Sequence, residues 1–170
     1  MMSLAHKPMP SPVGELKLVA SDKGLVAILW PNDSPRRVPL GETVIDKNHP
    51  ILVETESQLH EYFAGRRKRF TVPLDLRGTP FQRSVWAALL AIPYGETRSY
   101  AQLANQLGNA RATRAVGAAN GRNPVSIIVP CHRVIGSSGT LTGFAGGLAV
   151  KAQLLEMERG GRSQLSLSLQ

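Results

Sequence analysis

The chain has 170 residues, 42% of them apolar, a single cysteine and a formal net charge of +8. That length fits one medium domain or two small ones, with enough apolar content for a packed core. One cysteine excludes an intramolecular disulfide and any multi-cysteine zinc site, and no apolar run reaches membrane-spanning length.

Other simple features narrow the field further. His6, His49, His60 and His132 show no metal-ligand spacing, so no metal and no cofactor is expected. The first twenty residues lack the apolar centre of a signal peptide, and a soluble, cytoplasmic protein with no membrane association is expected. The charge is unevenly spread. Residues 1–77 carry eleven basic and nine acidic side chains, whereas residues 78–170 carry nine basic and three acidic ones. No carboxylate lies between Glu96 and Glu156, a span that holds Arg98, Arg111, Arg114, Arg122, Arg133 and Lys151. A polyanion such as DNA suits that surface, through phosphate neutralisation and counterion release.

In chain order, residues 12–30 read as a β-hairpin. Leu16 and Leu18 alternate with charged neighbours, and a Ser-Asp-Lys-Gly turn precedes the run from Leu25 to Trp30. Residues 31–41, rich in Pro, Asn, Asp and Gly, read as loop. Pro50 to Ala64 reads as a helix with Leu52, Leu59, Tyr62 and Phe63 near one face and Gly65 as its stop. Arg66-Arg67-Lys68-Arg69 reads as a solvated basic turn, and Phe70, Val72 and Leu74 alternate as a last strand.

A boundary is expected at Leu76-Arg77-Gly78. It divides an N-terminal α/β scaffold (1–77) from a C-terminal domain (78–162), with 163–170 as a flexible tail. Thr79-Pro80-Phe81-Gln82 carries the pattern of a capping box with proline in the first helical turn. Phe81, Val85, Ala88, Leu89 and Ile92 form the expected buried stripe of that helix, and Trp30 and Trp86 read as core. Ser99-Tyr100-Ala101-Gln102 repeats the capping pattern and opens a helix to about Leu107. Gly108-Asn109 turns into a second short helix, from about Ala110 to Ala119. Two short helices joined by such a turn suggest a helix-turn-helix. The second offers Ala and Gly with Arg114 as its long side chain, which fits minor-groove insertion better than base readout in the major groove.

The sequence then converges on Asn120 to Val134, NGRNPVSIIVPCHRV. Val125 to Val129 has the length and β-branching of a short buried strand, which Pro130 should end in a turn that exposes Cys131. A lone cysteine is often an inert buried hydrophobe. Against that stand the adjacent His132 and Arg133, because basic neighbours lower a thiol pKa and favour a thiolate. Adjacent residues on an extended strand point apart, so His132 would act after the turn or through one water.

Asn-Pro-Val-x-x-x-x-Pro-Cys-His-Arg-Val, Asn123 to Val134, resembles the active-site signature of the bacterial-type O6-alkylguanine-DNA alkyltransferases. The likeness extends through FQRSVWAAL, IPYGETRSYAQLA and RAVGAAN upstream and TGFAGGLAVKAQLLEME downstream, covering residues 78–159, and more loosely through SPVGELKL and LHEYFAG. The resemblance implies an α+β fold: a small ribonuclease H-like α/β domain, then a mostly helical domain with a winged-helix-like helix-turn-helix. It implies Cys131 as alkyl acceptor, His132 as base through a water, and Glu158 (or Glu156, one register away) as its orienting carboxylate. Asn123 would tie the recognition helix to the active-site turn, and Tyr100 would protonate the departing guanine. Arg114 would replace the extruded nucleotide in the stack, with Ser99, Ala115, Gly117 and Arg122 on the same DNA-binding surface. Val134, Phe144 and Ala145 would line the base pocket. Phe144 stands where the family often has tyrosine, Ser126 and Ala145 differ from the human-type pattern, and the zinc site of some relatives is absent.

The implied partner is double-stranded DNA carrying O6-alkylguanine, with O4-alkylthymine as a further candidate substrate. The protein would act as a monomer with no required protein partner. Thiolate attack on a saturated carbon yields a thioether that water does not cleave, so each molecule should act once, after flipping the damaged base out of the duplex. Two other readings compete: a non-catalytic helix-turn-helix module whose cysteine is structural, and a cysteine hydrolase. The second lacks an evident oxyanion turn and a distant histidine.

Overall fold

The computed structural model describes residues 3–160, and the expected tail at 163–170 lies outside the described residues. Its first half is a four-stranded sheet with one helix. The strands are β1 (Leu4–Met9), β2 (Leu16–Ala20), β3 (Leu25–Leu29) and β4 (Thr43–Ile45), followed by α1 (Pro50–Phe63). The sheet order is β3-β2-β1-β4; β1 and β2, and β2 and β3, pair antiparallel, and β4 adds parallel to β1. The β2–β3 hairpin lies where the alternation predicts it, whereas β1 (LAHKPM) and β4 have weak local signals and owe their pairing to the hairpin.

α1 presents Leu52, Thr55, Leu59 and Tyr62 as a buried row at helical spacing. It ends at Gly65, whose φ of 77° places it in the left-handed region that closes helices without steric cost. The strand expected over Phe70, Val72 and Leu74 does not form; only an isolated bridge joins Leu74 to Leu25. Pro73 lacks an N–H and contributes only its carbonyl, which accepts from Leu25 N at 2.8 Å, so the ladder cannot continue.

The second half holds α2 (Pro80–Leu90), β5 (Arg98–Ser99), α3 (Tyr100–Gln106), α4 (Thr113–Gly121), β6 (Val134–Ile135) and α5 (Leu148–Glu158). Both expected capping boxes are present: Thr79 Oγ1 accepts from Gln82 N at 3.1 Å, and Ser99 Oγ from Gln102 N at 3.0 Å. Thr79→Ala should therefore lower stability by about 1 kcal/mol, read as a shift in the urea midpoint at constant slope. Phe81 is a correction. It is 40% exposed in the first turn of α2, although it lies one turn before the buried Val85, and the inward side of the helix is carried by Val85, Trp86, Ala88 and Leu89. Both tryptophans are buried as expected. The second helix of the helix-turn-helix starts with a 3₁₀ turn, Ala110–Ala112, before α4. A single buried cluster runs from Met9, Leu16 and Ile28 through Val85, Trp86 and Leu103 to Cys131 and Leu154, so the sheet and the helices share one core.

Candidate active site around Cys131

The segment before Cys131 is not the strand its composition suggests. It folds back on itself: Ser126 bridges to Val129, Val129 N donates to Val125 O at 2.9 Å, and the β-branched Ile127 has φ 76°. Such a conformation costs on the order of 1–3 kcal/mol and persists only where its surroundings enforce it. Asn123 supplies that enforcement. Fully buried, it accepts from Val125 N at 3.0 Å and donates from Nδ2 to Val129 O at 2.7 Å, so one side chain closes the turn that backbone pairing would otherwise extend. β3 clamps the turn from outside, with Ile28 N donating to Pro124 O at 2.9 Å and Trp30 Nε1 to Ser126 Oγ at 3.0 Å.

Pro130 then delivers Cys131–Arg133 as one 3₁₀ turn. His132 and Arg133 both reach Glu158 at the end of α5. His132 Nε2 lies 2.7 Å from Glu158 Oε2, Arg133 Nε donates to Oε1 at 2.7 Å, and Arg133 Nη1 donates to Ile92 O at 2.7 Å. Glu158, and not Glu156, is the carboxylate of this cluster. Burial by itself would raise its carboxyl pKa, but the His132 bond and the Arg133 pair together hold it far below the ordinary range. An ionised carboxylate only accepts, so neutral His132 carries its proton on Nε2. Its Nδ1 is buried with no protein partner. Burial pushes the His132 pKa down, outweighing Glu158.

The thiol corrects a second expectation. Cys131 is 5% exposed, and burial raises its pKa above the ordinary value, with Asn123, Arg37, Lys151 and Ser126 opposing the rise. At rest the sulfur is a protonated thiol, and the thiolate must be generated when the substrate is in place.

The other expected site residues divide into groups. Val134 is fully buried and pairs with Arg98 in the small β5–β6 sheet. Phe144 packs edge-on against Trp30, ring centroids 5.4 Å apart, while Ala145 is exposed beside it. The intervening loop is tightly fitted: a Cβ on Gly146 would lie 2.9 Å from the Trp30 ring. Tyr100 contacts the same loop through its hydroxyl, 2.5 Å from Thr142 Oγ1. On α4, Arg114 and Ala115 are exposed, and Gly117 faces Tyr100 at a distance where an alanine would also fit. Ser99 caps α3. Arg122 sits at the opposite end of α4 from Arg114, donating to Arg36 O at 3.0 Å, so the two arginines do not form one cluster.

Four neighbours of this site escape sequence reasoning because they come from distant segments. Tyr62 donates to Glu158 Oε2 at 2.5 Å, and Trp30 holds Ser126 and Phe144. Arg37, paired with Asp33 at 2.6 Å, donates to Asn123 O at 2.8 Å. Lys151 is fully buried and donates to Thr142 O at 3.2 Å; burial lowers its pKa, and its charge favours an anion at Cys131. Their side chains look like ordinary core or surface residues until the fold brings them in. Among the described residues no group of three or more His, Cys, Asp or Glu could hold a metal ion.

A thiol on a 3₁₀ turn, backed by a buried His–Glu–Arg set and flanked by a helix-turn-helix with exposed arginines, defines a DNA-facing protein with a built-in nucleophile. Residues 4–76 match the ribonuclease-like domain, and residues 80–160 the DNA binding domain, of 6-O-methylguanine DNA methyltransferase. The chain belongs to that family. It is 47% identical over 148 residues to a methylated-DNA–protein-cysteine methyltransferase of Methanosarcina acetivorans, covering 87% of this chain and 94% of the relative. A constitutive enzyme of the same name from Bacillus subtilis is 49% identical over 153 residues, covering 88% of this chain and 92% of that one. Mycobacterium tuberculosis OGT, solved in complex with DNA, superposes with a TM-score of 0.84 at 47% identity, over 92% of this chain and 93% of that structure.

Proposed function

We propose that this chain is a methylated-DNA–protein-cysteine methyltransferase that repairs DNA by direct reversal, with Cys131 as the residue that accepts the alkyl group from O6-alkylguanine. The observation that carries the assignment of roles is the buried, unpartnered Nδ1 of His132, held by the Glu158 bond in the tautomer that can accept a proton. In the reaction the Cys131 thiol passes its proton, through a bridging water, towards His132 Nδ1. The sulfur attacks the alkyl carbon, an S–C bond forms, and the C–O6 bond breaks with its electron pair going to guanine. Guanine takes up one proton, so a thiol and an alkylated base become a thioether and a normal base. His132 has to hold that proton only while the thiolate reacts. Lys151 and Arg37 stabilise the negative sulfur as it forms, offsetting the burial that keeps the resting thiol neutral.

Tyr100 donates towards the departing guanine, which requires its hydroxyl to leave Thr142. Val134, Phe144 and Ala145 wall the base pocket. Arg114, Ala115, Gly117 and Ser99 face the minor groove, and Arg114 fills the gap left by the flipped nucleotide. Arg122 contributes at the far end of α4. The partner is duplex DNA, with residues 1–77 as scaffold, 78–162 as the DNA-binding and transfer domain, and the protein acting as a monomer. No helix is long and apolar enough to cross a membrane among the described residues, and a cytoplasmic protein fits this reading.

Intact-mass measurement after mixing with an O6-methylguanine duplex tests the assignment. One added methyl group per protein is expected, and none in Cys131→Ala. An unchanged mass with retained DNA binding would instead mark a binding module with a structural cysteine. Multiple turnovers of a chromogenic ester would mark a hydrolase.

A further inference from the structure

Glu158 serves more than His132. Donors from three parts of the chain converge on its carboxylate: His132 and Arg133 from the active-site turn, Gly95 N from the loop after α2 at 3.5 Å, and the Tyr62 hydroxyl from α1. Tyr62 is the one donor from the N-terminal half among the described residues. Its ring is fully buried against Phe63, Phe70 and Tyr94, at centroid separations of 5.5, 5.4 and 6.3 Å, so the hydroxyl has no freedom to find another acceptor. Burial and Glu158 raise its pKa well above the ordinary phenol value, which keeps it protonated and donating.

The Tyr62 hydroxyl, His132 Nε2 and, more loosely, Arg133 Nη2 share one oxygen, Oε2, at 2.5, 2.7 and 3.1 Å. A carboxylate oxygen that already accepts a strong O–H bond has less charge to offer a second donor. We propose that Tyr62 is a positioning residue for alkyl transfer: by donating to Glu158 Oε2 it draws that charge away from His132 and keeps the imidazole neutral, with Nδ1 free to take the thiol proton. This rests on the Cys131–His132 relay set out above.

The charged and titratable groups around His132 make the effect legible. Arg133 on its own turn and Lys151 from α5 are cations that oppose an imidazolium. Tyr94, from the loop after α2, is neutral, its hydroxyl kept protonated by burial and by Glu158; Lys68 lies beyond it, 5.5 Å from its ring. Cys131 is a neutral thiol at rest. Glu158 is therefore the one neighbour that favours protonation of His132, and Tyr62 weakens that neighbour. The N-terminal half thus tunes the base, beyond supporting the fold.

Single-turnover transfer from an O6-methylguanine duplex, followed between about pH 5 and 9, tests this with Tyr62→Phe, which deletes one oxygen and keeps the ring. The acid limb of the rate profile should move up by a few tenths to about one pH unit, so the slowing is concentrated at acid pH. A profile that superimposes on the unaltered one, or a rate that falls by the same factor at every pH, would overturn the proposal and leave Tyr62 a packing residue. Should Tyr62→Phe not fold, a fluorinated tyrosine at position 62, a stronger O–H donor of nearly the same shape, decides: the His132 titration followed by nitrogen NMR should move down relative to the unaltered protein. A titration that stays where it was would overturn the proposal. An unaltered protein that takes up no methyl group at any pH would sink the alkyl-transfer reading itself, a distinct outcome.

Discussion

Glu158→Gln is expected to slow methyl transfer by about a hundredfold or more, the usual loss when a general base is no longer held in place. The amide keeps the shape of the side chain but removes the charge that fixes the His132 tautomer. It can offer its oxygen to only one side of a cluster that needs two acceptors, at Oε1 and Oε2. It also strands Arg133, whose guanidinium is buried at 6% exposure. Removing one member of a buried ion pair typically destabilises by about 3–5 kcal/mol, so the urea midpoint should fall markedly alongside the rate. A variant that transfers at the normal rate would remove Glu158 from the relay.

The same residue sets an acid limit on stability. Its folded pKa is depressed, so its contribution is fully present above the ordinary carboxylate value of 4.5 and is lost as pH falls below it towards the folded value. His132, buried neutral with a lowered pKa, adds acid lability in the same sense, beginning below 6.5. The unaltered protein should lose stability more steeply than Glu158→Gln on acidification below 4.5, which urea denaturation at a series of pH values would register. Parallel slopes would contradict the pairing.

Asn123→Ala is expected to be the other large effect. It strands Val125 N in a fully buried turn, at about 1–3 kcal/mol, and takes one of two donors from Val129 O, which keeps only Cys131 N at 2.8 Å. With that restraint gone, Ile127 can abandon its φ of 76° and the segment can relax towards an extended path, displacing the Cys131 turn. The thiol also loses the side chain that most opposes the burial-driven rise of its pKa. Stability and transfer rate should fall together. A variant destabilised by less than about 1 kcal/mol would show that backbone pairing alone holds the turn.

Local signals served well where local chemistry decides. The capping boxes at Thr79 and Ser99, the apolar row of α1 and the hairpin turn before Leu25 each depend on residues a few positions apart, and all form as their spacing suggests. The failures share a cause. Val125 to Val129 reads as a strand by composition, but Asn123 offers a competing set of hydrogen bonds that composition does not register. Phe70 to Leu74 alternates like a strand, yet Pro73 denies it a ladder. The expected thiolate follows from counting basic neighbours along the chain, whereas the thiol pKa responds first to burial.

What the sequence by itself determined is the identity and order of the groups proposed to act: a cysteine after proline, a histidine and an arginine next to it, a carboxylate near the end, and two short helices rich in small residues and arginine. These are covalent neighbours or helix-periodic patterns, fixed before any long-range contact exists. Only the tertiary structure decided that Glu158 rather than Glu156 meets His132, that Tyr62, Trp30 and Arg37 reach the site from the other half of the chain, and that the resting sulfur is protonated. Proton affinity depends on burial and on charges a few ångströms away, and those are set by which distant segments the shared core packs together.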